Sequence, residues 1–94
     1  MVELYEEEIL RAMYDSRIIG EAGYGRLHNI ENTVGWSQIQ AKYGVKKKFK
    51  SVMQHLASRG LVIPHKGGEA YALSQLGISY VRGRLVTGGA KTTP

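Results

Sequence analysis

Lys46, Lys47, Lys48 and Lys50 set four ammonium groups within five consecutive positions, and Ser51, Gln54 and His55 follow directly. Ammonium groups neutralise phosphate, while hydroxyl and amide side chains exchange hydrogen bonds with the edges of bases or peptide groups. Arg59, His65 and Lys66 carry the same chemistry further along the chain, and Lys42 precedes it. The apolar residues among them have helical spacing. Phe49, Val52, Met53 and Leu56 recur at i, i+3, i+4 and i+7, which is one face of a helix. At about 100° per residue, Lys47, Ser51, Gln54 and Ser58 turn to the opposite face, flanked by Lys46, Lys48, Lys50 and His55. A helix over about 46–58 would be apolar below and cationic above its first turns, a shape suited to a groove lined with phosphate.

Other chemistries find little support. His28, His55 and His65 are far apart in sequence with no acid or cysteine at ligand spacing, so they read as surface histidines, and no metal is expected. Gly23-Tyr24-Gly25 and the Gly-Gly pairs at 67–68 and 88–89 read as turns, because none lies between a strand and a helix with the lysine or third glycine of a phosphate-cradling loop. Nothing resembles a nucleophile elbow or a pair of catalytic carboxylates. The acids gather in the first helix, where solvation and the helix dipole account for them, and neither an enzyme nor a cofactor is expected. Trp36 reads as core packing.

The positioning elements must come from a small chain. With 94 residues and 43% hydrophobic content, one modest core is available, so residues 1–83 are expected to form one domain and residues 84–94 a flexible tail. The absence of cysteine excludes disulfides and thiolate chemistry and favours an intracellular home. No apolar run is long enough to span a bilayer, and the opening MVELYEEE is acidic where a signal peptide would be basic, so a cytoplasmic protein without a membrane partner is expected. Charge is unevenly divided. Residues 1–35 carry seven acids against three bases, whereas residues 36–94 carry ten bases against Glu69 alone. Such asymmetry points to a polyanionic partner for the C-terminal two thirds, with an ordinary solvated lysine face as the plain alternative.

Residues 3–15 predict a first helix with Tyr5, Ile9, Ala12 and Met13 along its stripe. Residues 17–35 hold four glycines and no period; a loop or hairpin competes there with a short helix near 25–32 that packs Leu27 and Ile30 inward. The short helix is preferred. Residues 36–44 predict another helix, capped by Thr33 or by a Ser37/Gln40 capping box and ended by Gly44. Only Gly44 and Val45 would then separate it from the lysine-rich helix, which Gly60 stops. Residues 61–65 and 69–73 predict two strands joined by Lys66-Gly67-Gly68, with Pro64 confining the first to an edge. Ser74 is expected to cap a last helix with Leu76, Tyr80 and Val81 inward.

Two segments carry a resemblance. LeuAlaSerArgGlyLeuVal at 56–62 looks like the exit from a recognition helix, and TyrAlaLeuSerGlnLeuGly at 71–77 looks like the return from a β-wing. With this order and spacing of elements, about residues 3–82 resemble the winged helix-turn-helix family of DNA-binding regulators. The resemblance implies an α+β, mostly helical fold of three or four helices plus a two- or three-stranded β-wing. It also implies sequence-specific binding of double-stranded DNA by a transcriptional regulator, with the helix at about 46–58 in the major groove and the wing at about 61–73 on the backbone or minor groove. By the same resemblance Lys47, Ser51 and Gln54 would read base edges, while Lys46, Lys48 and Lys50 would meet phosphates, with His55, Arg59, His65 and Lys66 completing the footprint. A homodimer through Tyr5, Leu10, Tyr14, Tyr80 and Leu85 would supply a second half-site, and no small-molecule ligand is evident. Two departures stand out: Lys46 occupies the place of the family's serine or threonine cap, and the glycine-rich segment is longer than most members need. A nonspecific architectural or replication-associated DNA binder and a winged domain used for protein contacts are the alternatives.

Overall fold

A computed structural model describes the backbone of residues 2–20 and 23–92, with side chains described as far as Arg84. Among the described residues are five α-helices and a small three-stranded antiparallel sheet, an α+β arrangement that is mostly helical. Helix α1 (Leu4–Asp15) buries Ile9, Leu10 and Met13. The Glu3 backbone N–H donates to Glu6 Oε1 at 2.9 Å and secures its first turn. Its end closes through a left-handed Arg17, with the Ile18 N–H donating to the Met13 carbonyl and the Arg17 N–H to that of Tyr14.

The glycine-rich segment contains a short helix, α2 (Leu27–Val34), which buries Ile30 completely and Leu27 in part. It is preceded by β1 (Gly25–Arg26), a strand too short to leave a period in the sequence. Gly35, at φ 70°, ends α2 and directly begins α3 (Trp36–Tyr43), so neither Thr33 nor a Ser37/Gln40 box caps that helix. Gly44 closes α3 in the left-handed conformation, as its position predicts.

Helix α4 (Phe49–Ser58) begins later than the lysine pattern suggests. Lys46 and Lys47 lie in the preceding turn and Lys48 is the extended N-cap residue, so five residues rather than two join α3 to α4. The physical reason is electrostatic. Extending the helix back would add ammonium groups to its positive end, where the unsatisfied N–H groups and the macrodipole already disfavour cations. Instead the turn is tied to α3, with the Val45 N–H donating to the Gln40 carbonyl at 3.1 Å and Gln40 Nε2 to the Lys47 carbonyl at 3.2 Å. The apolar stripe is as read: Phe49, Val52, Met53 and Leu56 are all buried.

Beyond α4 the chain reverses through Gly60 at φ 77°. The Gly60 N–H donates to the Ala57 carbonyl and the Leu61 N–H to that of Leu56, both at 3.0 Å, a Schellman closure that places Leu61 over Leu56. Strands β2 (Val62–His65) and β3 (Ala70–Leu73) follow, and the sheet order is β1-β3-β2. The central strand β3 is buried throughout, and Pro64 sits on the edge strand β2, where its missing N–H costs no ladder bond.

Helix α5 (Gln75–Thr92) stays helical through residues whose composition suggested a tail from 84 onward. Ser74 caps it, accepting from the Gly77 N–H at 3.0 Å and donating to the Gly60 carbonyl. Ile78 and Val81 are the inward residues; Tyr80 is half-buried, and Leu76 is 57% exposed rather than inward. A Cβ on Gly77 would lie 2.1 Å from the Leu61 carbonyl oxygen, so only glycine permits this approach. The two motifs at 56–62 and 71–77 are therefore two sides of one contact.

Candidate nucleic-acid interface

Three adjacent glutamates of α1 bind three different helices. Glu6, only 2% exposed, lies 3.6 Å from Arg59 and 3.9 Å from His55 at the end of α4. Glu7 accepts from Arg84 Nε at 2.6 Å and from the Tyr80 hydroxyl at 3.4 Å on α5. Glu8 accepts from Lys42 Nζ at 3.0 Å and from the Tyr43 hydroxyl on α3. The hydrogen bond from Tyr43 and then that from Lys42 hold the Glu8 carboxyl below the usual range, and the same contacts raise the Lys42 ammonium and the Tyr43 phenol. Solvation and dipole alone do not account for these acids: a helix stripe reports only one's own face, whereas their partners lie 34 to 77 positions away.

These pairings take up only part of the basic side chains, and Arg11, Arg17, Arg26 and Arg82 stand outside them together with the exposed lysines. Lys42, His55, Arg59 and Arg84 face carboxylates of α1. Lys46, Lys47, Lys48, Lys50 and Lys66 are exposed, and among the described residues none has a carboxylate within ion-pair distance. The first three occupy the turn and the start of α4, Lys50 its first helical turn, and Lys66 the 3-10 turn that tips the hairpin. Ser51 and Gln54 are exposed on α4. Lys47 no longer continues their row, because the helical register starts only at Phe49.

Distance in the chain conceals a second grouping. Lys50, His65 and Lys66 border one cleft with Tyr24, Arg26 and His28, so two of the three histidines meet there. Tyr24 and His65 stack with ring centroids 4.4 Å apart and planes 21° from parallel. Tyr24, Arg26 and His28 belong to the segment without readable period, and their only sequence signal is a cation and two aromatic rings amid glycines. Trp36 is core, packed against Phe49 at 5.4 Å and Tyr5 at 6.2 Å between centroids.

The expected dimer residues fare unevenly. Leu10 is fully buried and cannot face a partner, and Leu85 lies outside the described side chains. Tyr5 packs on Trp36, Tyr14 accepts from Arg82 Nε, and Tyr80 donates to Glu7. Leu4, 64% exposed, and Leu76 instead line a groove of about 930 Å³ with Val2, Leu61 and Tyr80. Among the described residues no helix is long and apolar enough to cross a membrane. Scans against protein-family models, curated proteins and solved structures each find no match to this chain.

Proposed function

We propose that the protein binds double-stranded DNA as a winged helix-turn-helix module and acts in the cytoplasm as a transcriptional regulator. In this reading α3 and α4 form the helix-turn-helix, β2 and β3 with their 3-10 tip form the wing, and β1 completes the sheet beside it. The observation that carries the reading is the division of cations. A fold that sets Lys42, Arg59 and Arg84 against carboxylates of α1 leaves five exposed lysines with no carboxylate within ion-pair distance among the described residues, in the turn, at the start of α4 and at the hairpin tip. Repulsion among unpaired like charges opposes folding, and a polyanion relieves it. Lys46, Lys47, Lys48 and Lys66 contact phosphates, and Ser51 and Gln54 face base edges. Two recognition helices in a homodimer give a site of useful length, and the Leu4–Leu76 groove supports that pairing.

A second reading, binding with little sequence preference, is favoured by one observation. With Lys47 in the turn, Ser51 and Gln54 are the uncharged polar side chains left on the exposed face of the first two turns of α4, a small set for discriminating sites. Selection of duplexes from a random pool separates the two: a sharp motif supports the regulator, and enrichment without a motif supports the general binder. Affinity should fall with log salt at a slope near about −0.9 per phosphate contact. The triple change Lys47→Glu, Lys48→Glu, Lys50→Glu should abolish binding while leaving the melting temperature close to wild type. A flat salt response or a triple variant that still binds removes these lysines from the interface, and a wild type that binds no duplex rules out the DNA reading and leaves a domain used for protein contacts.

A further inference from the structure

The cleft between α4 and the hairpin has a volume of about 750 Å³, and its charges arrive from four separate parts of the chain. Arg26 comes from β1, His28 from the start of α2, Lys50 from α4, and Lys66 and Glu69 from the hairpin. The hairpin is held against α2 by the Leu27 N–H, which donates to the Glu69 carbonyl at 2.9 Å. Among the described residues, Arg26, Lys50 and Lys66 have no carboxylate within ion-pair distance, and Glu69 is the one acid on the lining. Three cations against one carboxylate among the described lining residues make the cleft positive before either imidazole is counted. The Tyr24–His65 stack fixes a flat wall on one side, so His65 presents its ring edge from a set position.

We infer that this cleft seats backbone phosphates of the DNA strand that passes from α4 to the hairpin, with Arg26 as the principal anchor; the inference rests on the DNA-binding reading above. A guanidinium presents a planar fork of donors that matches two phosphate oxygens, and Lys50 and Lys66 supply point charges from the other two sides. His28 and His65 add ring N–H donors. Glu69 works against the ligand, and this opposition gives the assignment its sharpest test.

Duplex affinity is measured by fluorescence anisotropy over a range of salt for the wild type, Arg26→Ala and Glu69→Gln, each with its melting temperature. Arg26→Ala should weaken binding to every sequence by about tenfold and reduce the salt slope by about 0.9. Glu69→Gln should tighten binding by about threefold at low salt, with the gain vanishing as salt screens the cleft. A purely structural role for these side chains predicts no gain from Glu69→Gln. If both variants bind like wild type while the Lys47/Lys48/Lys50 triple variant does not, the cleft assignment fails and the DNA reading stands. If the wild type binds no duplex, both fall. Titration with inorganic phosphate, followed by amide shifts of Gly68 and Ala70, distinguishes the source of the anion. Weak shifts that duplex DNA displaces support the strand seat, and saturating shifts that DNA fails to displace assign the cleft to a free anion and overturn it.

Discussion

Arg17 and Lys66 are the non-glycine residues with positive φ among the described residues, at 60° and 52°. A side chain in that region costs roughly 1–2 kcal/mol, partly offset by the extra chain entropy glycine loses on folding, about 0.5–1 kcal/mol. Arg17→Gly should therefore stabilise the protein by about 0.5–1 kcal/mol in chemical denaturation and leave duplex affinity unchanged, since it only completes the closure of α1. Lys66→Gly should stabilise the hairpin by a similar amount, yet weaken duplex binding several-fold. Equal affinity in the second variant would remove Lys66 from the interface. Neither strained position was legible in the sequence, because the mark of a left-handed turn is glycine or asparagine and these sites hold long cations. Gly44 and Gly60, by contrast, announced their turns correctly.

Among elements, the contacts of α1 decide how far the fold responds to pH. The folded-state pKa of Glu8 lies below the ordinary glutamate value of 4.5, so its pairing with Tyr43 and Lys42 contributes stability that is present above that value. The contribution is lost as pH falls below 4.5 and through the lowered folded value. Thermal unfolding followed from neutral pH to pH 3 should show the wild type losing its advantage over Glu8→Gln across that window. Parallel curves would mean that the α1–α3 pairing contributes nothing. Solvent screening keeps the expected difference small, because Glu8 and Lys42 are both partly exposed. At this scale the stripes of α1 and α4 were readable because 3.6-residue periodicity is a local signal. The start of α4 at Phe49 is not legible in the sequence, because periodicity does not distinguish a helical turn from the cationic loop before it. The fate of Glu6, Glu7 and Glu8 was hidden because each partner lies in another helix.

For the whole molecule, the seam where Gly60 and Leu61 meet Ser74 and Gly77 joins α4, the hairpin and α5 into one unit. Gly77→Ala must push a backbone carbonyl aside and should cost about 1–3 kcal/mol in denaturant unfolding. An unaffected midpoint would show that the seam is loose. Both halves of the seam were visible in the sequence as separate short motifs, and their meeting was not, since nothing local reports that position 77 touches position 61. The cleft at Arg26 was hidden for the same reason: its lining is assembled by topology from segments that have no common pattern. The seam also sets what the molecule can do when it meets a large ligand. A helix and a hairpin fastened at a common root hold a fixed reach from each other, like the jaws of a gauge rather than of a clamp. Under the DNA-binding proposal, a duplex whose grooves do not match that reach has to bend or twist to be gripped, so the stiffness of the DNA becomes part of what is read.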